Sequence, residues 1–372
     1  MKSIYFILFS LAFSVSHALT PAFPAPTSGI FSSYEILNFK LTAPISTLLK
    51  AKELSFFATK KVVVEGTLSY TDHKNKNVQI PVKINIKGFT STQFCTLPKL
   101  ELKLDKTLKK NTLFENIKSI DLHTHCIEQE DTKALEAVKV AFNAHREAML
   151  YRYMDILEIP GFRARPIMME YQDTDANSIM QAKSGFLYQA FFLEDYGDFR
   201  KRNNLKAIRG VNDVTKTDTD PTDTEKLASY VFSHVEQHPA VDRDDVARAV
   251  LFQHLIGNGD YFIQTTSTGY RDGSPTDENL WNMKIVENTD GKWITIPQDF
   301  NFSLILLNYP VVPSLEMVTF NLASPETQIN LYKSFANKKA ELIKATDLLQ
   351  AESVTMKNHL ERVFQNIESH LQ

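Results

Sequence analysis

Two short stretches of the sequence place acidic and amide side chains where reactive groups are often found. In the first, Asn258 and Asp260 follow a helical pattern that ends at Gly257, a residue type that readily adopts the left-handed cap conformation. In the second, Asp299 directly follows an apolar strand pattern and is flanked by aromatic residues. Because loops on rigid elements often carry function, these stretches are the candidate sites for catalysis and metal binding.

A predicted hairpin connects the second stretch with another amide side chain. The hairpin spans residues 281–296, so Asn282 at its start should lie near Asp299 just beyond its end. Asparagine and aspartate oxygens are hard ligands that suit Mg²⁺, and a separate aspartate such as Asp260 could orient a hydroxyl nucleophile. The competing interpretation is turn chemistry, because Asn and Asp often cap helices or bond their own backbone.

The two cysteines of the chain flank a pair of predicted strands. Cys95 lies just before the strand pattern 99–104, and Cys126 lies just after the pattern 117–123. If these strands pair in antiparallel fashion, both cysteines reach the same end of the ladder. A disulfide is therefore predicted, and two buried free thiols are the alternative.

The N-terminus has the pattern of an export signal. A short basic start precedes an apolar run from Ile4 to Val15, and Ser16 and Ala18 offer small residues for cleavage. Residues 1–18 are therefore predicted to be a signal peptide, with a buried first helix as the alternative, and the protein is predicted to be secreted or periplasmic. No later stretch approaches the roughly 20 apolar residues of a transmembrane segment. The net charge of −3 favours neither nucleic acid nor a membrane surface as a partner.

The remaining pattern changes from β-rich to helical along the chain, which favours the α+β class. Alternating apolar residues predict a hairpin over 62–86, and two further strands follow near 164–171 and 186–193. The predicted organisation is a signal peptide at 1–18, an N-terminal extension at 19–59, a β-rich lobe at 60–193 with a long helix at 131–158, and a helical lobe at 194–372 with the hairpin 281–296. The helices of this last part are predicted at 224–237, 242–256, 325–346 and 350–371.

Several stretches, taken in order, resemble the spore-coat CotH kinase-like family, in particular its exported bacterial branch. The resemblance covers roughly residues 60–305. It rests on Ile86-Lys-Gly88, Cys95-x-Leu-Pro-x-Leu-x-Leu, Ile120 to Cys126, Arg146 to Arg152, Phe162 to Arg165, Phe191 to Asp195, Leu255 to Tyr261, Asn282-Met-Lys and Ile296 to Phe302.

This resemblance implies a two-lobed, protein-kinase-like fold with a β-rich N-terminal lobe and a mainly helical C-terminal lobe. It also implies ATP and Mg²⁺ or Mn²⁺ as ligands, with an unidentified protein or small molecule as the phosphate acceptor. Asp260 matches the catalytic aspartate, with Asn258 beside it, and Asp299 matches the metal-binding aspartate. Asn282 is the candidate for a second metal ligand.

The resemblance further suggests residues that contact the nucleotide. Gly88 lies in the loop on the phosphate side, and Glu194 matches an acidic position near the nucleotide. Lys103 is the candidate for the strand lysine that reaches the phosphates, and Glu147 could pair with it from the long helix. The alternative for this pair is an ordinary surface lysine and a solvated helix glutamate.

Departures from the family pattern leave more than one function open. Asn301 stands where the family has a second acid, and residues 89–92 lack the family's arginine. The loss of one charge should weaken Mg²⁺ binding. The first hypothesis is an exported ATP-dependent kinase, and the alternative is a catalytically inactive binding or scaffold protein of the cell envelope. A metal-dependent hydrolase that uses Asp260 and Asp299 is a third possibility.

Overall fold

The computed structural model describes ten stretches of the chain. They are residues 29–52, 62–88, 91–92, 95–126, 143–180, 184–208, 240–258, 282–301, 303–307 and 323–372. The predicted signal peptide, Asp260, the helix predicted at 224–237 and the first part of the helix predicted at 131–158 lie outside these stretches.

Seven strands form a closed barrel in the order β1-β2-β3-β4-β5-β7-β6. Neighbouring strands are antiparallel except for β1 and β6, whose parallel pairing closes the barrel. The strands are β1 (Leu37–Ala43), β2 (Val64–Thr71), β3 (Asn77–Ile86), β4 (Leu100–Leu104), β5 (Ser119–His123), β6 (Ala164–Asp173) and β7 (Leu187–Glu194).

Alternate residues of each strand point into the barrel, and because these residues are hydrophobic, the interior is apolar. Leu102 of β4 and Ile120 of β5, for example, are fully buried in this core. Gly66 allows β1 and β2 to approach closely, since a Cβ at this position would lie 2.8 Å from the Cβ of Ala43. The outward-facing residues of β4 and β5 are consequently available for other contacts.

Apart from a short helix at Ile45–Lys50, whose Ile45 and Leu48 belong to the barrel core, the helices pack against the outside of the barrel and against a small second sheet. A second apolar core joins outward residues such as Phe191 and Leu193 to the helices. The second sheet contains β8 (Lys206–Ala207), β9 (Met283–Glu287) and β10 (Trp293–Pro297). The described helices are α1 (Ile45–Lys50), α2 (Ala144–Ile156), α3 (Tyr196–Arg202), α4 (Arg243–Leu255), α5 (Leu304–Leu307), α6 (Pro325–Thr346) and α7 (Ser353–Ser369), with a 3₁₀ turn (Asp347–Glu352) between the last two.

The prediction of a two-lobed, protein-kinase-like fold with a helical C-terminal lobe is wrong. The strands close into a seven-stranded barrel, and the helices share one core with the outer face of this barrel. The strand that closes it, β1, lies within residues 19–59, which were predicted to be only an N-terminal extension. Its Leu37, Phe39 and Leu41 alternate with less buried residues and fill the barrel interior.

Several local predictions agree with the structure. The strands predicted at 99–104 and 117–123 are confirmed as β4 and β5, which pair in antiparallel fashion. The helix predicted at 325–346 is confirmed as α6. In the described part of the chain, no helix combines the length and the apolar character that a bilayer crossing requires.

Candidate functional site

A cluster of charged side chains lies on the outer face of β4 and β5. Asp121 and His123 of β5 point away from the barrel, because they alternate with the inward-facing Ile120 and Leu122. Lys99 immediately precedes β4, whose Leu100 pairs with Leu122, so it lies at the same end of the ladder as His123.

Lys99 is the centre of the cluster. Its Nζ lies 2.9 Å from Oδ1 of Asp299, and the Lys99 side chain is only 14% exposed. Burial alone would lower the pKa of Lys99, but the nearby carboxylates of Asp299, Glu147 and Asp121 outweigh burial, and the pKa is raised. The ammonium group is therefore charged at neutral pH.

Glu147 of α2 brings a second carboxylate to this lysine. Burial raises the pKa of Glu147, while the charge of Lys99 and the backbone N–H of Phe300 lower it, and the net effect is an increase. Oε1 of Glu147 lies 3.7 Å from Nδ1 of His123. Burial, followed by the charge of Lys99, holds the pKa of His123 well below its usual range. The His123 ring is thus neutral, and this contact is not an ion pair.

The cluster contains buried polar atoms that are not satisfied by the described residues. They are Oδ1 of Asp121, Nδ1 of His123 and Oε1 of Glu147. An unpaired buried polar atom costs free energy, about 1–3 kcal/mol each, and native structures contain few of them. Three such atoms in one cluster therefore suggest a site prepared for a ligand rather than a structural network.

A second lysine flanks the cluster. The backbone N–H of Lys87 donates to the carbonyl of Lys99 at 2.8 Å, and Nζ of Lys87 lies 2.5 Å from Oδ2 of Asp121. Gly88 follows with φ +87°, and a Cβ on it would lie 3.8 Å from Cδ of Lys99. Two lysines and three carboxylates therefore meet here, and burial disfavours the charge of one of these carboxylates, Glu147.

Asp299 is held in place by packing of the residue that follows it. The ring of Phe300 lies 4.9 Å from that of Tyr151 on α2 and 5.6 Å from that of Phe252 on α4. The backbone N–H of Asp299 donates to the Tyr151 hydroxyl at 3.2 Å. Asp299 itself adopts a left-handed conformation with φ 57°, which aspartate tolerates better than most residues.

The structure brings Asn282 close to Asp299, as the hairpin pattern predicted. Met283 and Pro297 are partners in the register of β9 and β10. Beyond this pair, the N–H of Gln298 donates to the carbonyl of Asn282 at 3.0 Å. Asn282 and Asp299 thus emerge together from the open end of the hairpin.

Asn258 is joined to the same region through the chain that follows Asp299. The N–H of Leu304 donates to the carbonyl of Gly257 at 3.0 Å, and Gly257 has the left-handed conformation expected of a helix cap, with φ 65°. A Cβ on this glycine would lie 2.7 Å from that of Leu304, so only glycine fits. Asn258 is buried, and its Nδ2 donates to Oε1 of Gln253 at 3.0 Å. Asp260 follows two residues later, outside the described residues.

Two residues predicted to contact nucleotide lie elsewhere. Lys103 is 55% exposed, and its Nζ lies 3.6 Å from a carboxylate oxygen of Glu101 on the same strand. Glu194 is buried and forms ion pairs with Arg163 and Arg202. It lines a cavity of about 200 Å³ next to the loop that joins β4 and β5, at the opposite end of these strands from Lys99. The structure therefore places Lys99, not Lys103, beside Glu147 and Asp299.

The predicted disulfide is confirmed and lies behind the cluster. Cys95 and Cys126 are bonded, and both are buried. Leu97 and Cys126 form a β-bridge, in which the N–H of Leu97 donates to the carbonyl of Cys126 at 3.1 Å. The disulfide thus ties together the chain before Lys99 and the chain after His123.

The donor set is only partly that of a metal centre. Asp299 is about a third exposed and could offer an oxygen to a cation, and Asn282 could add an amide oxygen. Within the described stretches, no group of three or more His, Cys, Asp or Glu side chains is arranged to hold a metal ion. Asp299 and Asn282 would thus supply at most two protein oxygens, and the remaining ligands of a cation would have to be water or a bound molecule.

No protein-family model matches the sequence, and no curated protein shows significant similarity to it.

Proposed function

We propose that this protein binds a nucleoside triphosphate with a divalent cation at the Lys99 cluster and transfers a phosphoryl group to a hydroxyl acceptor. The observation that carries this proposal is the contact between the Lys99 ammonium and the Asp299 carboxylate, beside the buried Glu147. Phosphoryl transfer relies on positioning and on charge stabilisation, and a lysine in contact with one aspartate and near a buried glutamate could supply both.

Each residue has a role that follows from its placement. Lys99 would bind phosphate oxygens, Glu147 would keep its ammonium oriented, and Asp299 would offer an oxygen to the cation. A bound divalent cation would neutralise charge on the phosphates. Asp260, which lies outside the described residues, is assigned by the sequence pattern alone as the group that orients or deprotonates the acceptor hydroxyl, with Asn258 two residues before it. The proposal does not depend on the discarded fold, because function resides in sites rather than in folds.

The proposal includes export. The disulfide between Cys95 and Cys126 is of the kind that persists in oxidising compartments, and the N-terminal signal pattern agrees with it. We propose a secreted or periplasmic protein, whose acceptor is a protein or small-molecule hydroxyl outside the cytoplasm.

A catalytically inactive nucleotide-binding protein is the second candidate. Asn301, which follows Asp299 by two residues, is buried and uncharged. It therefore adds no negative charge for a metal ion, and binding without transfer would result if Asp299 alone holds the cation too weakly.

The test is to incubate the purified protein with labelled ATP and Mg²⁺ or Mn²⁺ and to measure nucleotide binding and phosphate transfer, including autophosphorylation. Lys99→Met and Asp299→Asn should lower kcat/KM about 100-fold or more, because they remove charges that act in the transition state. Lys103→Met is the matched control, and it should behave as wild type because its side chain is exposed and lies away from Asp299.

The results separate the two candidates. Binding that needs Lys99, without transfer, would support the inactive alternative. Failure of the wild type to bind ATP, or full activity of Lys99→Met, would refute both.

A further inference from the structure

Glu352, in the 3₁₀ turn between α6 and α7, contacts two side chains at the start of α2 and one side chain of β7. Nδ2 of Asn143 donates to its Oε2 at 2.8 Å, and Nε2 of Gln189 donates to its Oε1 at 2.9 Å. Nε of Arg146 lies 3.3 Å from Oε2 and forms an ion pair. The Glu352 side chain is 30% exposed, so these contacts are partly shielded from water.

These contacts anchor the first turn of the helix that carries Glu147. Asn143 is the N-cap of α2, and its Oδ1 accepts from the N–H of Arg146 at 2.9 Å. Nε2 of His145 lies 2.8 Å from the carbonyl of Ile167. Glu352 thus holds the N-cap residue from its other side, immediately before the buried glutamate of the cluster.

Arg146 also contacts the chain behind Asp299. Its Nη1 donates to the carbonyl of Leu306 in α5 at 3.0 Å. Helix α7 packs against α5 as well. One arginine therefore joins the C-terminal turn, the helix of Glu147 and the segment that follows Asp299.

The same C-terminal segment contacts the stretch that leads to Asn258. Nε2 of His359 in α7 lies 3.0 Å from the carbonyl of Leu255, the last residue of α4. Gln350, two residues before Glu352, adopts φ 52° and ψ −119°, a conformation that is unfavourable for a residue with a side chain. The surrounding contacts hold the chain in this bend at Gln350, and the bend places Glu352 next to the start of α2.

We infer that Glu352 is a positioning residue for the proposed phosphotransfer. Through its contacts, the C-terminal helices α6 and α7 hold the helix that carries Glu147 in place. The inference rests on the proposed function. When Glu352 is neutralised, the first turn of α2 loosens, and Glu147 no longer keeps the Lys99 ammonium oriented. The contacts of Glu352 are with Asn143, Arg146 and Gln189 and not with Lys99 or Asp299, so its loss should affect turnover more than nucleotide affinity.

The test is Glu352→Gln, compared with Glu341→Gln, which alters an exposed glutamate of α6 that lies 3.6 Å from Lys338. Glu352→Gln removes the ion pair with Arg146 and turns one donor toward Asn143 or Gln189. Hydrogen exchange of the first turn of α2 should become about tenfold faster, and kcat should fall by a similar factor, as expected for coupling of this size. The dissociation constant for ATP should change less than about threefold. Glu341→Gln should leave all three quantities unchanged.

The hydrogen-exchange measurement tests, independently of catalysis, whether Glu352 holds the first turn of α2; this restraint is called the tether below. Unchanged exchange in Glu352→Gln overturns the inference even if the wild type is an active phosphotransferase. Equal losses of kcat and ATP affinity also overturn it, because a positioning role predicts a split between them. If the wild type neither binds ATP nor transfers phosphate, the proposed function fails and the catalytic part of the inference fails with it, while faster exchange would still support the tether.

Discussion

Two buried glutamates, Glu147 and Glu194, lie near opposite ends of β4 and β5 and differ in their hydrogen-bond partners. The carboxylate of Glu194 accepts five hydrogen bonds from Arg163 and Arg202, three at Oε1 and two at Oε2, with lengths of 2.8–3.1 Å. Glu147 has an Oε1 without a hydrogen-bond partner among the described residues. Lys99, whose charge acts on Glu147, is in contact with Asp299.

The difference separates a structural network from a candidate site. A carboxylate whose lone pairs are filled by two arginines stabilises the native state and has little capacity left for a ligand. A carboxylate with an unsatisfied oxygen, beside an unsatisfied histidine nitrogen, carries a cost that a ligand could relieve. Sequence resemblance treated both glutamates as nucleotide contacts, and the hydrogen-bond pattern favours this role only for Glu147.

The largest expected effect on stability comes from Glu194→Gln. The amide leaves two arginines without a counter-charge and directs its own NH₂ donors at theirs. We expect the free energy of unfolding to fall by about 3–5 kcal/mol, as for other broken buried ion pairs. Urea denaturation at pH 7 measures this loss. A loss below about 1 kcal/mol would show that the satisfied network is not structural, and the comparison would fail.

The disulfide allows the two ends of β4 and β5 to be compared, because it joins the chain at the Lys99 end and not at the Glu194 end. Replacing Cys95 and Cys126 by alanine should lower the free energy of unfolding by about 2–4 kcal/mol, since the bond closes a loop in the unfolded chain. The same change should loosen Lys99 and His123, so ATP binding should weaken as well. Glu194→Gln, measured where the protein is still folded, should leave ATP binding unchanged. Equal effects of both variants on ATP binding would contradict the separation of the two ends.

Local patterns were enough to predict the parts of the site that are close in sequence. The alternation in 99–104 and 117–123 gave the antiparallel pair, and the pair gave the disulfide between Cys95 and Cys126. The hairpin pattern placed Asn282 beside Asp299. In each case a short loop or a simple register determines the geometry, so periodicity carries the information.

Contacts between distant segments could not be predicted in this way. The parallel pair of β1 and β6 joins residues about 130 positions apart, and no local pattern specifies such a partner. Lys99 and Lys103 are four residues apart and lie on the same side of the strand, so alternation cannot distinguish them. Only the approach of α2 and of Asp299 to the end of β4 selects Lys99.

A pair of buried histidines, His254 and His359, has unsatisfied ring nitrogens outside the Lys99 cluster. We expect these groups to affect the stability of the protein and not ATP binding. His254 has both ring nitrogens unpaired among the described residues, and it faces His359 and His370, with Arg362 beside His359. Burial, aided by these neighbours, lowers the pKa values of His254 and His359 from 6.5 to about 4. The contribution of the two neutral histidines to the free energy of unfolding should be fully present above pH 6.5. It should be lost as the pH falls toward 4, because the histidines of the unfolded chain bind protons at a higher pH than those of the folded chain.

The expected loss is about 1–2 kcal/mol per histidine between pH 7 and pH 5. His254→Leu should reduce the slope of the unfolding free energy against pH, measured by urea denaturation, and should not weaken ATP binding. His73→Leu is the control, because His73 is exposed on the barrel. An unchanged acid slope in His254→Leu would show that this histidine already finds a partner, and the pair would then resemble Glu194 rather than Glu147.

The smallest expected effect on stability comes from the same substitution made at the other glutamate. Glu147→Gln should change the free energy of unfolding by no more than about 1 kcal/mol, because burial already disfavours its charge and Asp299 still neutralises Lys99. The amide can also donate to the neutral His123, whose Nδ1 lies 3.7 Å from Oε1 in the wild type. ATP-dependent transfer should nevertheless fall, since Lys99 loses the group that orients it. A loss of stability as large as that of Glu194→Gln would mean that Glu147 belongs to a structural ion pair, and the unsatisfied oxygen would then carry no functional meaning.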